Sequence, residues 1–182
     1  MEHVVTTNNV AAGTSSGVCL AVFDVRSIAN FVLDEADRRG VEMTNMALNK
    51  IVYFMHCDFL LERQAPLVGA KIEAWKHGPV FREVYHEFKR WSDEPIRGRA
   101  NRVDPHSGEV VKANLELDAD DSAFLTALVD RYIVFTASQL RALSHREGGP
   151  CAKVWGHDGN ANVGMKIGND LISEFYKPEV LQ

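Results

Sequence analysis

Histidines and cysteines are the residues of this sequence whose chemistry could build a metal site or an acid–base pair. The chain has seven histidines and three cysteines, but none follows the HExxH, HxH or CxxC spacing of common metal ligands. A metal site would have to combine distant residues such as His77, His145 and His157 with Cys151, and a metal-assisted hydrolase built on them is an alternative function. Because single histidines more often cap helices or lie at the surface, we predict neither a metal nor a cofactor.

Two short runs place a nucleophile next to a histidine. Cys57 lies between His56 and Asp58, and Ser144 precedes His145. Residues one apart on a helix point about 100° apart, so neither run is expected to form a catalytic pair, and Cys57 is predicted to be a buried structural thiol. The chain also has no GxSxG, Walker or GxGxxG motif. These observations favour a binding protein rather than an enzyme.

Three arginines, Arg97, Arg99 and Arg102, are predicted to meet no nearby acid and to be available as a patch for phosphate or an acidic partner. DNA binding through this patch, as an autoregulator, is a second alternative function. The formal net charge of -5 and the pI near 5.8 give no global reason to bind a phosphate backbone, so nucleic acid is not the expected partner.

Length and composition indicate one globular domain. The chain has 182 residues, of which 46% are apolar and 25% charged, enough apolar residues for a core. Its cysteines are far apart and odd in number, a pattern typical of the reducing cytosol, and no stretch reaches the roughly 20 apolar residues needed to span a bilayer. We expect a cytoplasmic protein without membrane contact, with a flexible leader at 1–22, a single domain at 23–177 and a tail at 178–182.

Hydrophobic spacing predicts a mainly helical chain. Asp24 and Thr44 stand at N-cap positions, before an amphipathic helix that ends near Gly40 and a second that ends near Gln64. The second helix has the broad apolar arc of a central helix. Further helices are predicted to begin near residues 118, 136, 151 and 167.

Two segments predict strands. Residues 71–76 alternate polar and apolar side chains, and residues 97–113 contain turn chemistry at 104–108 between two short runs, as in a β-hairpin. The expected fold class is therefore α+β, mainly α-helical. We expect a helical core with one small antiparallel β-sheet made of the 71–76 strand and the hairpin.

Residues 73–85 (EAWKHGPVFREVY) combine the strand with a tight turn and a predicted helix start. Gly78 allows the chain to turn sharply, and Pro79 suits the first turn of a helix. The simplest expectation is an edge strand packed on a helix, with Trp75 in the core. The free amides of Val80 and Phe81 would then be able to bind a carboxylate or a carbonyl of a partner.

Several blocks, in this order, resemble the SocA-like antitoxins built on the Panacea domain. They are LNKIVYF at 48–54, PL at 66–67, EAWKHGPV at 73–80 with Tyr85 and Phe88, and LSH at 143–145 with GP at 149–150. The resemblance covers roughly residues 25–155, and the EAW and GPV blocks are its most specific part. One position departs from the family pattern: Cys151 stands where the family usually has tryptophan, and Trp155, four residues later on the same helix face, is expected to compensate.

The resemblance implies a mainly helical antitoxin that binds and neutralises a cognate toxin protein. In one branch of the family it implies an adaptor that delivers the toxin to the ClpXP protease, so the expected partners are a cognate toxin and a ClpXP-type protease. The positions that match the family pattern, as partner-binding or signature residues, are Lys50, Tyr53, Glu73, Trp75, Gly78, Pro79, Val80, Tyr85 and His145. Lys50 lies on an otherwise apolar helix and needs a buried acceptor, for which Glu73 is the nearest candidate by motif.

Overall fold

The computed structural model describes residues 22–155 and 165–178. Apart from their innermost residues, the predicted leader at 1–22 and tail at 178–182 lie outside this part of the chain. In chain order the elements are α1 (Val25–Arg38), α2 (Asn45–Arg63), β1 (Ile72–Trp75), β2 (Gly78–Phe81), α3 (Arg82–Phe88), a 3₁₀ turn (Lys89–Trp91), β3 (Asn101–Val103), β4 (Val110–Lys112), α4 (Ala119–Ile133), α5 (Ala137–Ser144), α6 (Pro150–Trp155), β5 (Lys166–Ile167) and α7 (Asn169–Phe175). The predicted class, α+β and mainly helical, is confirmed.

Helix α2 is the centre of the fold, as its broad apolar arc predicts. It packs against α1, α3, α4, α5, α7 and β2, and from residue 47 to residue 60 every side chain is buried. Large apolar side chains such as Leu48, Ile51 and Phe59 are at most 1% exposed, and each contributes about 2 kcal/mol of hydrophobic stabilisation when fully buried. The domain is therefore organised around one helix that meets solvent almost nowhere.

Side-chain caps fix where four helices begin. Asp24 accepts from the Arg26 amide at 2.8 Å before α1, and Thr44 accepts from the Ala47 amide at 3.3 Å before α2. Caps of the same kind precede α4 and α5, at Asp118 and Thr136, the second as a capping box. Each such cap stabilises its helix by about 1 kcal/mol. The helix starts predicted at these positions are confirmed.

The predicted single sheet is wrong, because the strands form two separate antiparallel sheets. One has the order β2-β1-β5, and the other is the β3–β4 hairpin. Strand β1 is consequently the middle strand of its sheet and not an edge. Strand β5, which pairs Ile167 with Ile72, has two residues and was not predicted as a strand.

The helix predicted to start at Pro79 is also wrong: residues 78–81 form β2, and α3 begins at Arg82. Pro79 pairs with Ala74 on the outer strand of the sheet, where the missing proline amide costs no ladder bond. The Phe81 amide, expected to be free, donates to Asn49 Oδ1 at 3.1 Å. A buried side chain of α2 therefore determines that this segment pairs as a strand.

The β3–β4 hairpin is confirmed and is attached to α1 by one buried side chain. Asn30 is 2% exposed, and its Nδ2 donates to the carbonyls of Ala100 and Ala113, each at 2.9 Å. Its Oδ1 accepts from the Ala100 amide at 2.7 Å.

Within the described residues, no helix is both long and apolar enough to cross a membrane.

Candidate functional site

The β1–β2 hairpin lies on a polar floor that α2 supplies. Asn45 and Asn49 are one helical turn apart, and both are buried. Asn49 Nδ2 donates to Asn45 Oδ1 at 3.0 Å while its Oδ1 holds the Phe81 amide, and Asn45 Nδ2 donates to the Tyr85 carbonyl at 3.1 Å. These bonds join α2 to β2 and α3. Neither asparagine was predicted as a site residue, although an Asn pair at i, i+4 on an apolar helix was a usable signal.

Lys50 completes this floor. Its side chain is 1% exposed, and Nζ donates to the Pro79 carbonyl at 2.8 Å. The acceptor predicted from the motif, Glu73, is therefore wrong. Burial lowers the pKa of Lys50 to about 8. At neutral pH this side chain is still largely protonated and places a positive charge directly beneath the hairpin.

Glu73 instead belongs to the outer face of β1. Its carboxylate is 2% exposed and accepts from Trp75 Nε1 at 2.9 Å and from Lys71 Nζ at 3.1 Å. Burial opposes ionisation of this carboxyl, but the hydrogen bonds from Trp75 and Lys71 outweigh it and lower the pKa of Glu73 below its ordinary value. The carboxylate therefore fixes the orientation of the Trp75 indole.

Gly78 brings the end of α5 against the hairpin. Its φ is +98°, and a Cβ at this position would overlap Ser144 Oγ, lie 2.9 Å from Lys50 Cε and lie 3.1 Å from His145 Cε1. His145 Nε2 is also 3.2 Å from the Lys76 carbonyl, on the other side of the turn. Glycine is therefore required here both by backbone conformation and by space.

Ser144 and His145 approach more closely than the helical spacing predicted, because His145 has left helical geometry at φ -101° and ψ 11°. Ser144 Oγ lies 3.4 Å from His145 Nδ1. The hydroxyl nevertheless donates to the Arg141 carbonyl at 2.8 Å. This arrangement positions the serine as a packing partner of the hairpin turn and does not present it as an activated nucleophile.

An open groove of 260 Å³ lies along the hairpin. Trp75 is half-buried and not in the core as predicted, and its ring meets Tyr85 edge-on with centroids 4.9 Å apart. We call this the hairpin groove; its lining residues are Asn45, Met46, Asn49, Lys50, Trp75, His77, Val80, Tyr85, Lys89, Ser92 and Asp93. The structure thus brings Lys50, Trp75, Val80 and Tyr85 to one groove. Glu73 and Pro79 are hydrogen-bonded to residues that line it, and Gly78 and His145 lie at the adjoining turn.

Tyr53 lies elsewhere. It is 1% exposed and lines a second cavity, of 410 Å³, together with Phe54, Tyr132 and Tyr176. Burial raises the pKa of each of these three tyrosines. Of the signature positions, Tyr53 is therefore the one that does not join the hairpin groove.

A buried carboxylate, Asp58, accepts hydrogen bonds from two of the tyrosines that line this second cavity. It is 0% exposed and accepts from Tyr132 Oη and Tyr176 Oη, each at 2.7 Å, and from Arg131 Nη1 at 2.8 Å. From the sequence, Asp58 was considered only as a neighbour of Cys57. Its position within the broad apolar arc of α2 was the signal that pointed to a buried polar network.

Both cysteines in the described residues are buried. Cys57 is 0% exposed, and burial raises the pKa of its thiol, which confirms the structural assignment. Cys151, at the family's tryptophan position, is 1% exposed, and burial raises the pKa of its thiol to about 11. Trp155 is half-buried and packs against the same core, and its compensation for Cys151 stays a prediction.

The residues behind the two alternative functions are arranged as follows. Among the described residues no three His, Cys, Asp or Glu side chains are placed to hold a metal ion, and His157 of the suggested trio lies outside those residues. Arg97 and Arg99 were expected to meet no acid. Arg97 forms an ion pair with Glu42, and Arg99 forms ion pairs with Asp34 and Asp37. The prediction is therefore wrong for Arg97 and Arg99, because helix α1 and the loop after it supply acids that are distant in sequence. Arg102 makes no ion pair among the described residues, but it alone does not form a patch.

Comparisons with known proteins agree with this geometry. The family described as "Antitoxin SocA-like, Panacea domain" matches residues 48–150, which cover most of α2, the β1–β2 hairpin and α5. Antitoxin SocA of Caulobacter vibrioides (strain NA1000 / CB15N) is 34% identical over 155 residues, covering 85% of this chain and 82% of SocA. No solved structure matches the chain. The chain belongs to the family of SocA-like antitoxins with a Panacea domain.

Proposed function

We propose that this chain is the antitoxin of a toxin–antitoxin system, that it acts in the cytoplasm by binding rather than by catalysis, and that it neutralises a cognate toxin protein through the hairpin groove. Membership in the SocA-like antitoxin family supports the antitoxin role. One structural observation supports the hairpin groove as the binding surface. The signature residues Trp75 and Tyr85 form an aromatic pair at the surface, over a floor that buried hydrogen bonds hold rigid.

This pair has the properties of a binding hot spot. Aromatic side chains contribute most to protein–protein affinity when they are pre-oriented and desolvated on binding. Trp75 is fixed by its bond to Glu73, and the backbone carbonyl of Tyr85 is held by Asn45. The Trp75 ring therefore loses little conformational freedom when a partner covers it, and the Tyr85 ring packs edge-on against that fixed indole.

Co-expression with the product of the neighbouring reading frame tests the antitoxin role. We expect wild-type chain to relieve the toxicity of that product and to co-purify with it. Tyr85→Ala removes the groove aromatic while leaving the bond to its backbone carbonyl, and should weaken binding by about 2 kcal/mol, roughly thirtyfold in Kd. Val134→Ala, which truncates an exposed apolar side chain in the α4–α5 connection, is the matched control and should bind normally.

The outcomes test the antitoxin role and the hairpin groove separately. If wild-type chain neither binds the neighbouring product nor relieves its toxicity, the antitoxin proposal is wrong. If Tyr85→Ala and Val134→Ala bind equally well, the antitoxin role stands and the groove is not the contact.

We further propose that the chain acts as a proteolytic adaptor that delivers the bound toxin to a ClpXP-type protease. The support is the extent of the similarity to antitoxin SocA, which includes α1 and the α2–β1 region as well as the groove. Purified ClpXP should degrade the toxin faster when wild-type chain is present than when it is absent. Equal toxin half-lives in the two reactions would contradict the adaptor role, and the chain would then neutralise the toxin by binding alone.

A further inference from the structure

A group of basic side chains surrounds the turn between β1 and β2. Lys76 and His77 stand on the turn itself, Arg141 and His145 belong to the end of α5, and Lys50 lies beneath. Gly78 allows these elements to meet, because Lys50 and His145 both approach the space that a Cβ there would occupy. His145 Nε2 is 3.2 Å from the Lys76 carbonyl. We call these five residues the turn cluster.

The turn cluster contains no acidic partner. None of the ion pairs in the described part of the chain includes a member of it. Many other cations are paired, namely Arg26, Arg39, Arg63, Arg97, Arg99 and Arg131. Since the chain has 25 acidic residues against 20 lysines and arginines, a shortage of acids does not explain the unpaired group.

The members are close enough to repel one another. Burial, and then the charges of Arg141, Lys76, Lys50 and His145, lower the pKa of His77 below its ordinary value. Folding therefore holds like charges together at a cost, and an anion bound at this place would offset it. The same charges would accelerate the approach of an acidic partner at low ionic strength.

The turn cluster is continuous with the hairpin groove, because Lys50 and His77 belong to both. From this juxtaposition, and resting on the proposed toxin binding, we infer that the site takes an acidic segment of the toxin. An apolar side chain of that segment lies against Trp75 and Tyr85, and a carboxylate next to it in the segment lies on the turn cluster. A protein carboxylate is favoured over a nucleic-acid phosphate because the chain as a whole is negative and Arg97 and Arg99 are neutralised by α1 and its following loop.

Charge reversal at the exposed members tests the inference. Arg141→Glu and Lys76→Glu, alone and combined, alter exposed side chains that make no ion pair among the described residues, and they relieve repulsion within the cluster, so their thermal unfolding midpoints should be no lower than that of wild type. Lys112→Glu, on the distant β3–β4 hairpin, makes the same charge change outside the cluster; because it also removes the 3.7 Å ion pair with Asp34, its thermal unfolding midpoint is measured as well. Toxin binding is measured by surface plasmon resonance at low and high salt, and binding of a short duplex DNA is measured in parallel.

We expect Arg141→Glu and Lys76→Glu each to slow toxin association by about tenfold at low salt, with a much smaller difference at high salt and no effect of Lys112→Glu. If the cluster variants bind toxin as Lys112→Glu does, the inference is wrong while toxin binding by the wild type remains. If the cluster variants lose DNA binding and keep toxin binding, the cluster is a phosphate site and the inference is also wrong. If wild-type chain does not bind the toxin at all, the proposed function fails and the inference falls with it.

Discussion

At the turn between β1 and β2, two independent constraints act on Gly78. Its φ of +98° is a conformation that L side chains rarely adopt, and the place of a Cβ is already filled by Ser144, Lys50 and His145. Gly108, in the β3–β4 turn, has a φ of +73° but nothing within 4 Å of its Cβ position. The two glycines therefore separate the cost of backbone strain from the cost of overlap.

We predict that Gly78→Ala destabilises the protein by about 3 kcal/mol and Gly108→Ala by about 1 kcal/mol, because only the first adds a steric clash to a positive φ. Urea denaturation followed by circular dichroism measures both differences. The overlap at Gly78 would be disproved by equal losses in the two variants.

The residues of the site show how far side-chain partners follow from sequence. The need of Lys50 for a buried acceptor follows from its place on an apolar helix, but the choice between Glu73 and the Pro79 carbonyl depends on where β2 turns. In the same way, strand alternation places Trp75 on the same face as Glu73, but the bond that fixes its indole to that carboxylate depends on the folded geometry. Residue types predict that a partner exists, and tertiary geometry selects it.

At the scale of elements, boundaries were predictable where local chemistry sets them. Asp24, Thr44 and Thr136 cap their helices with their own side chains, and the α4 start is loaded with acids, so each start can be read nearby in the sequence. The end of β2 is different, because Pro79 suits a helix start as well as an outer strand. Asn49, 32 residues away, decides between the two by binding the Phe81 amide.

The β3–β4 hairpin offers a test at this scale, since a single buried asparagine of α1 bonds both residues that flank it, Ala100 and Ala113. Asn30→Ala removes three hydrogen bonds and leaves the Ala100 amide without its side-chain partner. We predict a loss of about 2 kcal/mol in the free energy of unfolding, with faster hydrogen exchange at Ala100 and along β3 and β4.

His106→Ala is the matched control for that experiment. His106 lies exposed at the tip of the same hairpin, and it is the backbone amide, not the side chain, that donates to Asp104 Oδ1. Hydrogen exchange in this variant should resemble wild type. If exchange in β3 and β4 is unchanged in Asn30→Ala, contacts other than this asparagine hold the hairpin on α1.

At the scale of the whole molecule, α2 unites the fold by distributing polar contacts as well as apolar ones. Asn49 reaches β2, His56 reaches α7, and Asp58 reaches α4 and Tyr176. Each contact joins segments that are far apart in sequence, and a misplaced segment would leave a buried polar group unpaired. The overall arrangement of helices was therefore not predictable from periodicity, which identifies a central helix but not the neighbour at each of its faces.

His56 makes this arrangement sensitive to pH. Its Nδ1 accepts from the Val68 amide at 3.4 Å, so the proton is on Nε2, which donates to Asn169 Oδ1 at 3.0 Å. Burial lowers the pKa of His56 below its ordinary value of 6.5, and the bond to Asn169 only partly opposes this. In the unfolded chain the imidazole gains a proton near pH 6.5, whereas in the folded protein it stays neutral to a lower pH. The stability that neutral His56 contributes is therefore complete above pH 6.5 and is lost progressively as the pH falls towards the folded pKa.

We predict that the urea concentration at the unfolding midpoint of wild-type protein decreases as the pH is lowered from 7.5 to 5.5. In His56→Gln, whose side chain at position 56 cannot titrate, the midpoint should change less over the same interval. The lowered pKa values of Asp24 and Glu73 act only at more acidic pH, near their ordinary values of 3.8 and 4.5, whereas the lowered pKa of His77 acts in the same window and leaves a residual slope in His56→Gln. His106→Gln, at the exposed hairpin tip, should keep the wild-type profile. Parallel profiles for wild type and His56→Gln would show that α7 and the Val68 segment do not depend on a neutral imidazole. If the profile of His56→Gln is flatter and α7 of the wild-type protein exchanges hydrogen faster below pH 6, protonation of one buried histidine weakens the packing of the C-terminal helix.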